Sequence, residues 1–158
     1  MTPHQVHEVA IKLRYRDLNI AAHIDNVEAV RLTDEARFEF LRFAKLETQR
    51  GAHTGLLATL PPGVSELVAG LSVDFRTEMK FDAYQPYVCR LWVSRIGNSS
   101  FDLSTQMRTA PGADPALVCV ASLVLRDAAT GQAWQLDEAT RALFTEFLGE
   151  PVSLRPRG

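Results

Sequence analysis

The stretch DNVEAVRLTDEARFEFLRFAKLETQRG, residues 25–51, decides the fold because it carries the one long helical pattern of the chain. Asp25 can cap the amino end of a helix, Glu28 stands where it would complete a capping box, and Gly51 is suited to ending the helix. At 100° per residue one face is largely apolar, and it is formed by Ala29, Leu32, Thr33, Ala36, Phe40, Phe43 and Ala44. The sequence therefore predicts a helix over residues 26–50 that lies with one face on a large apolar surface.

Strand patterns flank this helix on both sides. Residues 4–15 read as one strand, and after a loop rich in Gly and Pro four further segments are β-rich, namely 66–77, 87–96, 101–110 and 117–127. Gly97-Asn98-Ser99 is suited to the tight turn of a hairpin, and residues 136–148 to a short helix capped by Asp137. This order predicts an α+β domain in which a five-stranded antiparallel sheet wraps around one long central helix.

Length and composition set limits on the function. The 158 residues fit a single domain, which we place at residues 1–150, followed by a polar tail, 151–158, that is expected to be frayed. A net charge of −2 without a basic stripe argues against nucleic-acid binding. The chain shows neither a signal-peptide pattern nor the roughly 18 apolar residues that a membrane span needs.

The two cysteines, Cys89 and Cys119, lie in apolar strand-like segments without metal-ligand spacing. We interpret them as small buried side chains in a reducing compartment, neither metal ligands nor a disulfide. A cytoplasmic location is therefore expected, and no metal site is predicted.

Three segments, in order, resemble the 4-hydroxybenzoyl-CoA and long-chain acyl-CoA type of thioesterase. Residues 13–26, LRYRDLNIAAHIDN, are similar to the motif that precedes the helix in that family: an aromatic residue, two Asp separated by one residue, and then Gly-His-Val-Asn-Asn. Residues 35–41, EARFEFL, resemble its Glu-Ala-Arg and aromatic-Leu helix. Residues 91–101, LWVSRIGNSSF, resemble its strand-turn-strand segment, and Val73-Asp74-Phe75 the strand before it.

The resemblance covers residues 6–146 and implies a hotdog fold, a curved antiparallel sheet around one long helix. It also implies a homodimer, often a dimer of dimers (a homotetramer), with active sites at the subunit interface. The implied substrate is an acyl-CoA thioester. Coenzyme A is then part of the substrate, and no bound cofactor is expected.

One departure from the family bears on the chemistry. The position of the catalytic carboxylate is Asn19, and an amide can neither accept a proton nor serve as a useful nucleophile. The family's Gly before the His is Ala22. Two readings stay open: a thioesterase acting on acyl-CoA or carrier-linked acyl groups, or an acyl-thioester-binding protein that has lost hydrolysis. A hotdog dehydratase is disfavoured because the prolines expected after His23 are missing.

Four residues are candidates for catalysis. Asn19 could orient the thioester or a water molecule, and the backbone amide of Asn26, at the positive end of the helix, could polarise the thioester carbonyl. His23 could act as a base, although the family's His is commonly structural. Arg37 falls inside the apolar arc of the helix, where a charge needs a partner or a water-filled cleft. It either extends to the surface or pairs at a dimer interface, or it faces Asn19 in a carboxylate-free site.

The remaining acidic candidates have simpler interpretations. Asp17 matches a residue that is usually structural in the family. Glu35 and Glu39 lie on the polar face of the helix beside Arg31 and Arg42, as solvated ion pairs do, although another hotdog branch uses a helix carboxylate.

Substrate binding is expected at Asp25 and at the hairpin formed by Arg95, Gly97, Asn98 and Ser99. In the hydroxybenzoyl branch this turn is basic, whereas here only Arg95 is charged. Backbone amides could still hold a phosphate of coenzyme A. The simpler interpretation is that Gly97-Asn98 forms a good turn and Asp25 only caps the helix.

Overall fold

The structure, a computed structural model, describes residues 4–157. The strands in this part of the chain are β1 His7–Ile11, β2 Lys45–Thr48, β3 Gly51–Thr54, β4 Val64–Phe75, β5 Tyr87–Ile96, β6 Ser100–Arg108 and β7 Leu117–Asp127. The helices are α1 Asn26–Arg42 and α2 Glu138–Glu146, with a short 3-10 turn at Tyr15–Asp17. Neither helix is long and apolar enough to cross a membrane.

The main sheet has the order β1-β5-β6-β7-β4, and all its neighbours are antiparallel. The predicted α+β class and the five-stranded antiparallel sheet are therefore confirmed. On the face that we call the inner face, alternate residues such as Leu91 and Leu103 are fully buried in one core with Leu32 and Phe40 of α1. Helix α1 thus packs on the inner face, and the opposite, outer face carries Trp92 in a separate small cluster.

Helix α1 ends at Arg42, well before the predicted end at residue 50. The carbonyls of its last turns accept hydrogen bonds from residues that follow the β2–β3 hairpin: the Leu56 N–H donates to Phe40 O and the Leu57 N–H to Leu41 O, both at 3.0 Å. Because these carbonyls already accept hydrogen bonds, they do not need the N–H groups of a further helical turn. The chain instead forms the β2–β3 hairpin, where Gly51 adopts a φ of 107° at the start of β3. The helix prediction was too long, and α1 is one of two helices in residues 4–157.

The tail that was expected to be frayed packs on the outer face. Val152 is buried beside Trp92, its N–H donates to Ser104 Oγ at 3.1 Å, and Trp92 Nε1 donates to Glu150 O at 2.8 Å. Asp74 of β4 then accepts from the Arg155 N–H at 2.6 Å. The prediction was wrong here because a mostly polar tail still supplies one apolar anchor and backbone donors for a buried carboxylate.

Both cysteines are free and fully buried on the inner face, as predicted. Burial raises the pKa of the Cys89 thiol to about 12 and that of Cys119 to about 11. The thiolate is the reactive form, so these side chains are inert near neutral pH.

Candidate functional site

Asn19 lies in a tight loop between β1 and α1, and the backbone of that loop fixes its side chain. Asn19 Oδ1 accepts from the Ala21 N–H at 3.0 Å and from the His23 N–H at 3.1 Å. The Asn19 N–H donates to His23 O at 2.8 Å, which closes the loop. Because both oxygen partners are donors, the amide orientation is unambiguous. Nδ2 has no hydrogen-bond partner within residues 4–157, so the exposed side chain offers donors at its free end.

Ala22 adopts a left-handed conformation with a φ of 62°, the sole non-glycine residue with positive φ among the described residues. This is the position at which the resembling family carries Gly. A Cβ in this region crowds the following carbonyl, at a cost of about 1–2 kcal/mol. The loop is therefore held in a strained shape by its hydrogen bonds and by the adjacent helix.

Asp17 anchors the loop from within. Its carboxylate is fully buried and accepts from the Arg14 N–H at 2.7 Å and from the guanidinium groups of Arg14 and Arg31 at 3.1 Å each. Burial opposes ionisation, but the hydrogen bonds from Arg14 and then Arg31 outweigh it and hold the pKa of the Asp17 carboxyl below its ordinary value. With both oxygens occupied, Asp17 has the structural role expected of it.

The amino end of α1 follows directly. Asp25 Oδ1 accepts from the Val27 N–H at 2.9 Å, and the Asp25 N–H donates to Asp17 O at 2.9 Å. Glu28 binds Arg31 instead of the Asp25 N–H, so the predicted capping box does not form. The Asn26 N–H has no acceptor among the described residues and points out at the positive end of the helix.

His23 lies beside a segment that no sequence pattern had singled out. Its backbone pairs with Lys80, the Ile24 N–H donates to Met79 O at 2.7 Å, and His23 Nε2 lies 3.9 Å from Glu78 Oε1. Both side chains are partly exposed. The structure therefore connects Asn19 with His23 and His23 with Glu78 on the surface, and the Asn26 amide follows three residues after His23. Sequence reasoning missed Glu78 because the tertiary pairing of residues 23 and 80 carries it there.

Arg37 is buried, as its helical angle predicted, but its partner is on its own helix. Arg37 Nη2 donates to Asp34 Oδ1 at 2.5 Å, whereas Nη1 is buried without an acceptor among the described residues. It borders a small cavity of about 80 Å³ between α1 and the sheet, together with Phe38 and Val68. Arg37 also stands eleven residues after Asn26, about 16 Å along the helix axis. No contact joins it to Asn19 within one chain.

Of the two carboxylates on the polar face of α1, Glu35 pairs with Arg31 as expected, whereas Glu39 contacts His7 and Arg42 pairs with Glu66 instead. Glu35 Oε2 accepts from Arg31 Nη1 at 3.1 Å, and Glu39 Oε2 lies 2.6 Å from His7 Nε2. Neither carboxylate contacts the Asn19 loop.

The hairpin predicted to bind substrate lies at the other end of the sheet. Ile11 pairs with Tyr87 at the start of β5, and the hairpin follows Ile96 at its end, about 30 Å away along the strand. Arg95 is neutralised by Asp102 through two hydrogen bonds of 2.9 Å, which raise its pKa. Within one chain, the structure does not bring this hairpin to the Asn19 loop.

The turn itself is tied to neighbouring elements. Gly97 O accepts from Arg141 Nη2 at 3.1 Å, Asn98 O from the Leu136 N–H at 2.8 Å, and Ser99 O from the Leu125 N–H at 2.8 Å. These contacts support its interpretation as a structural turn, while its binding of a phosphate remains a prediction.

Comparison with known proteins agrees with this architecture. A family model described as the thioesterase-like superfamily matches residues 13–144. The fold is similar to that of a predicted thioesterase from Bacillus stearothermophilus, at a TM-score of 0.71 and 16% identity over 94% of this chain and 100% of that one. No curated protein matches the sequence.

Two further structures share the fold. A thioesterase from Thermus thermophilus, complexed with coenzyme A and Zn, has a TM-score of 0.67 and 18% identity over 96% of this chain and 100% of that one. The dynemicin thioesterase, whose crystal structures concern polyene binding, has a TM-score of 0.68 and 16% identity over 93% and 99%.

The family match extends over most of the chain and includes the Asn19 loop, α1 and the whole main sheet except β1. The chain belongs to the thioesterase-like superfamily, and its fold is that of the hotdog thioesterases.

Proposed function

We propose that this protein hydrolyses an acyl thioester, of coenzyme A or of a carrier protein, at the Asn19 loop. The observation that carries the proposal is the fixed orientation of Asn19: two backbone N–H groups hold Oδ1 and leave Nδ2 free, and the Asn26 N–H at the start of α1 is also free. Two fixed donors at the positive end of a helix suit the developing oxyanion of a thioester carbonyl.

The attacking water needs a proton acceptor, and His23 is the titratable side chain of the loop. A neutral imidazole can take the proton as the water oxygen attacks the carbonyl carbon. The tetrahedral intermediate then expels the thiolate, which takes the proton back to leave as free thiol. Glu78, 3.9 Å from Nε2, is placed to stabilise the imidazolium that forms in between.

A second copy of the chain is part of this proposal. Strand β4 is an edge strand, and residues 67–72, LVAGLS, are uncharged and exposed along it. Long uncharged edges favour pairing with another strand. We propose a homodimer in which two β4 edges pair antiparallel about a two-fold axis. In that arrangement the amino end of one α1 approaches the Arg37 region of the other, which would supply the Asn19–Arg37 pairing across the interface.

We propose that the substrate is an acyl thioester. The Thermus thermophilus relative holds coenzyme A and the dynemicin relative concerns a polyene, which favours an acyl thioester here without separating a coenzyme A ester from a carrier-linked one. At the hairpin Arg95 is already paired with Asp102, but Arg141 of α2 donates to Gly97 O and adds a second guanidinium, so the hairpin does not separate the two substrates either.

One observation favours the alternative function, a protein that binds acyl thioesters without hydrolysing them. No carboxylate contacts Asn19 among the described residues, and Glu78 contacts His23 instead. This favours a protein that binds acyl thioesters without cleaving them.

Thiol release from short, long and aromatic acyl-CoAs and from an acyl carrier protein separates the two functions. We expect turnover in the wild type and its loss in Asn19→Ala, since the free amide donors disappear. Gln132→Ala, which removes an exposed amide at the opposite end of the sheet, is the matched control and should keep wild-type turnover. An inert wild type that still binds the thioester would establish the alternative.

A further inference from the structure

A cleft of about 590 Å³ opens on the outer face of the sheet, away from α1. Tyr87, Cys89 and Met107 point to the inner core, so their neighbours Val88, Arg90 and Arg108 point to the outer face. The register pairs Val88 with Arg108 on one side and with Ala10 on the other. Small side chains therefore form the floor, and two arginines stand over it.

Each arginine has a buried nitrogen without a hydrogen-bond partner. Arg108 Nε donates to Ala113 O at 2.8 Å, while its Nη1 is buried with no acceptor and no carboxylate pairs with it among residues 4–157. Arg90 Nε lies 3.3 Å from Glu8 Oε1, but the geometry of that contact does not make a hydrogen bond. Both arginines are partly exposed and line the same cleft, so their remaining guanidinium N–H groups offer charged donors to an anion bound there.

The charged residues that line the cleft favour an anion with a single negative charge. Two arginines face two carboxylates, because Glu8 and Asp114 also line the cleft. A doubly charged phosphate would meet repulsion from both acids, whereas a single carboxylate can bind between the guanidinium groups. Ala10, Val88 and Pro111 add apolar surface, and the volume of the cleft far exceeds that of a bare ion.

We propose that this cleft binds the carboxylate of an amphipathic acid, with Arg108 and Arg90 holding the head group and the apolar floor holding the chain. The site lies on the sheet face opposite α1 and does not depend on hydrolysis at Asn19. It is chemically suited to a free acid of the kind that thioester hydrolysis releases.

Three compounds that share an eight-carbon alkyl chain but differ in their polar head group test the assignment: octanoate, octyl phosphate and octanol. Each is titrated into the ¹⁵N-labelled full-length protein, and binding is followed by NMR. Octanoate should shift the backbone amides of residues 88–90, 108 and 112–114, and bind more tightly than either other probe. Arg108→Gln should weaken octanoate binding about 10- to 100-fold, as expected for the loss of a charged hydrogen bond.

Arg126→Gln is the matched control, because Arg126 also donates to a turn carbonyl, Gly131 O at 2.8 Å, but lies outside the cleft. It should leave octanoate binding unchanged. Shifts confined to residues 19–26 would place the acid at the Asn19 loop and overturn the proposal. Equal binding of octanol, tighter binding of octyl phosphate, or an unchanged affinity in Arg108→Gln would each overturn it as well.

Discussion

The backbone nitrogen of His23 lies 3.1 Å from Asn19 Oδ1, so the same loop that presents His23 also orients the amide of Asn19. An aspartate at position 19 would accept the same two N–H groups with one oxygen and expose the other.

Asn19→Asp should therefore create a proton acceptor or nucleophile without rebuilding the loop. We expect thiol release to rise by about 100-fold or more over Asn19→Ala, in the range typical of a positioned base. Steady-state assays over the acyl-CoA panel measure it, and Gln132→Glu controls for the added charge. An Asn19→Asp protein that folds and binds substrate but gains nothing would contradict this geometry.

Ala22→Gly should stabilise the protein, because glycine adopts a φ of 62° without a Cβ clash. Relief of about 1–2 kcal/mol of strain exceeds the roughly 0.4–1 kcal/mol that added freedom of the unfolded chain costs. We expect a net gain of about 0.5–1 kcal/mol in the free energy of unfolding, measured with urea.

The neighbouring change Ala21→Gly is its control, since Ala21 has no positive φ to relieve. It should lose about 0.5 kcal/mol through the unfolded state alone. Equal losses in both variants would show that the Ala22 backbone carries no strain.

Asp17 should make stability depend on pH in the acid range. Because its folded pKa lies below the ordinary value of 3.8, its contribution is present above pH 3.8 and is lost as the pH falls through the folded pKa. Asp17→Asn should destabilise the protein by about 1–3 kcal/mol at pH 7, since the buried position loses its charged hydrogen bonds from Arg14 and Arg31.

The difference in the free energy of unfolding between wild type and Asp17→Asn should decrease below pH 3.8. Denaturant titration at several pH values measures this difference. Asp114→Asn, an exposed carboxylate without an ion pair among the described residues, should change little at any pH. If the difference in the free energy of unfolding between wild type and Asp17→Asn stays constant until the protein unfolds in acid, the ionised Asp17 carboxylate is not the cause of that difference.

Leu71→Lys should break the proposed dimer. Leu71 is 41% exposed on the β4 edge, and two lysines facing each other across a two-fold axis repel and lose apolar burial. Light scattering after size exclusion should show a monomer mass for Leu71→Lys and a dimer mass for the wild type. Leu148→Lys, at a similar exposure of 39%, should remain dimeric. A monomeric wild type would refute the pairing.

The sheet was the part of the fold most open to prediction. The bounds of β5 and β7 were predicted as observed, because alternating apolar residues bounded by turns define a strand locally. The end of α1 was missed since Phe43 and Ala44 extend the apolar stripe, whereas the bonds from Leu56 and Leu57 that end the helix come from later in the chain.

In the candidate site, features that depend on local spacing could be predicted, and contacts between distant segments could not. The cap at Asp25 and the burial of Arg37 follow from local spacing. The contact of Glu78 with His23 and the roughly 30 Å between the Asn19 loop and the hairpin depend on how strands pair, which spacing alone does not define.

The outer-face position of residues 150–157 has a consequence for synthesis of the protein. Val152 bonds to Ser104 and Arg155 to Asp74, so residues made late in translation complete strands made much earlier. Until they emerge from the ribosome, the parts of Trp92 and Val118 that Val152 covers are exposed on a sheet that can otherwise already be formed. The nascent chain therefore exposes an apolar surface during translation, the kind of surface that chaperones bind and that aggregation exploits.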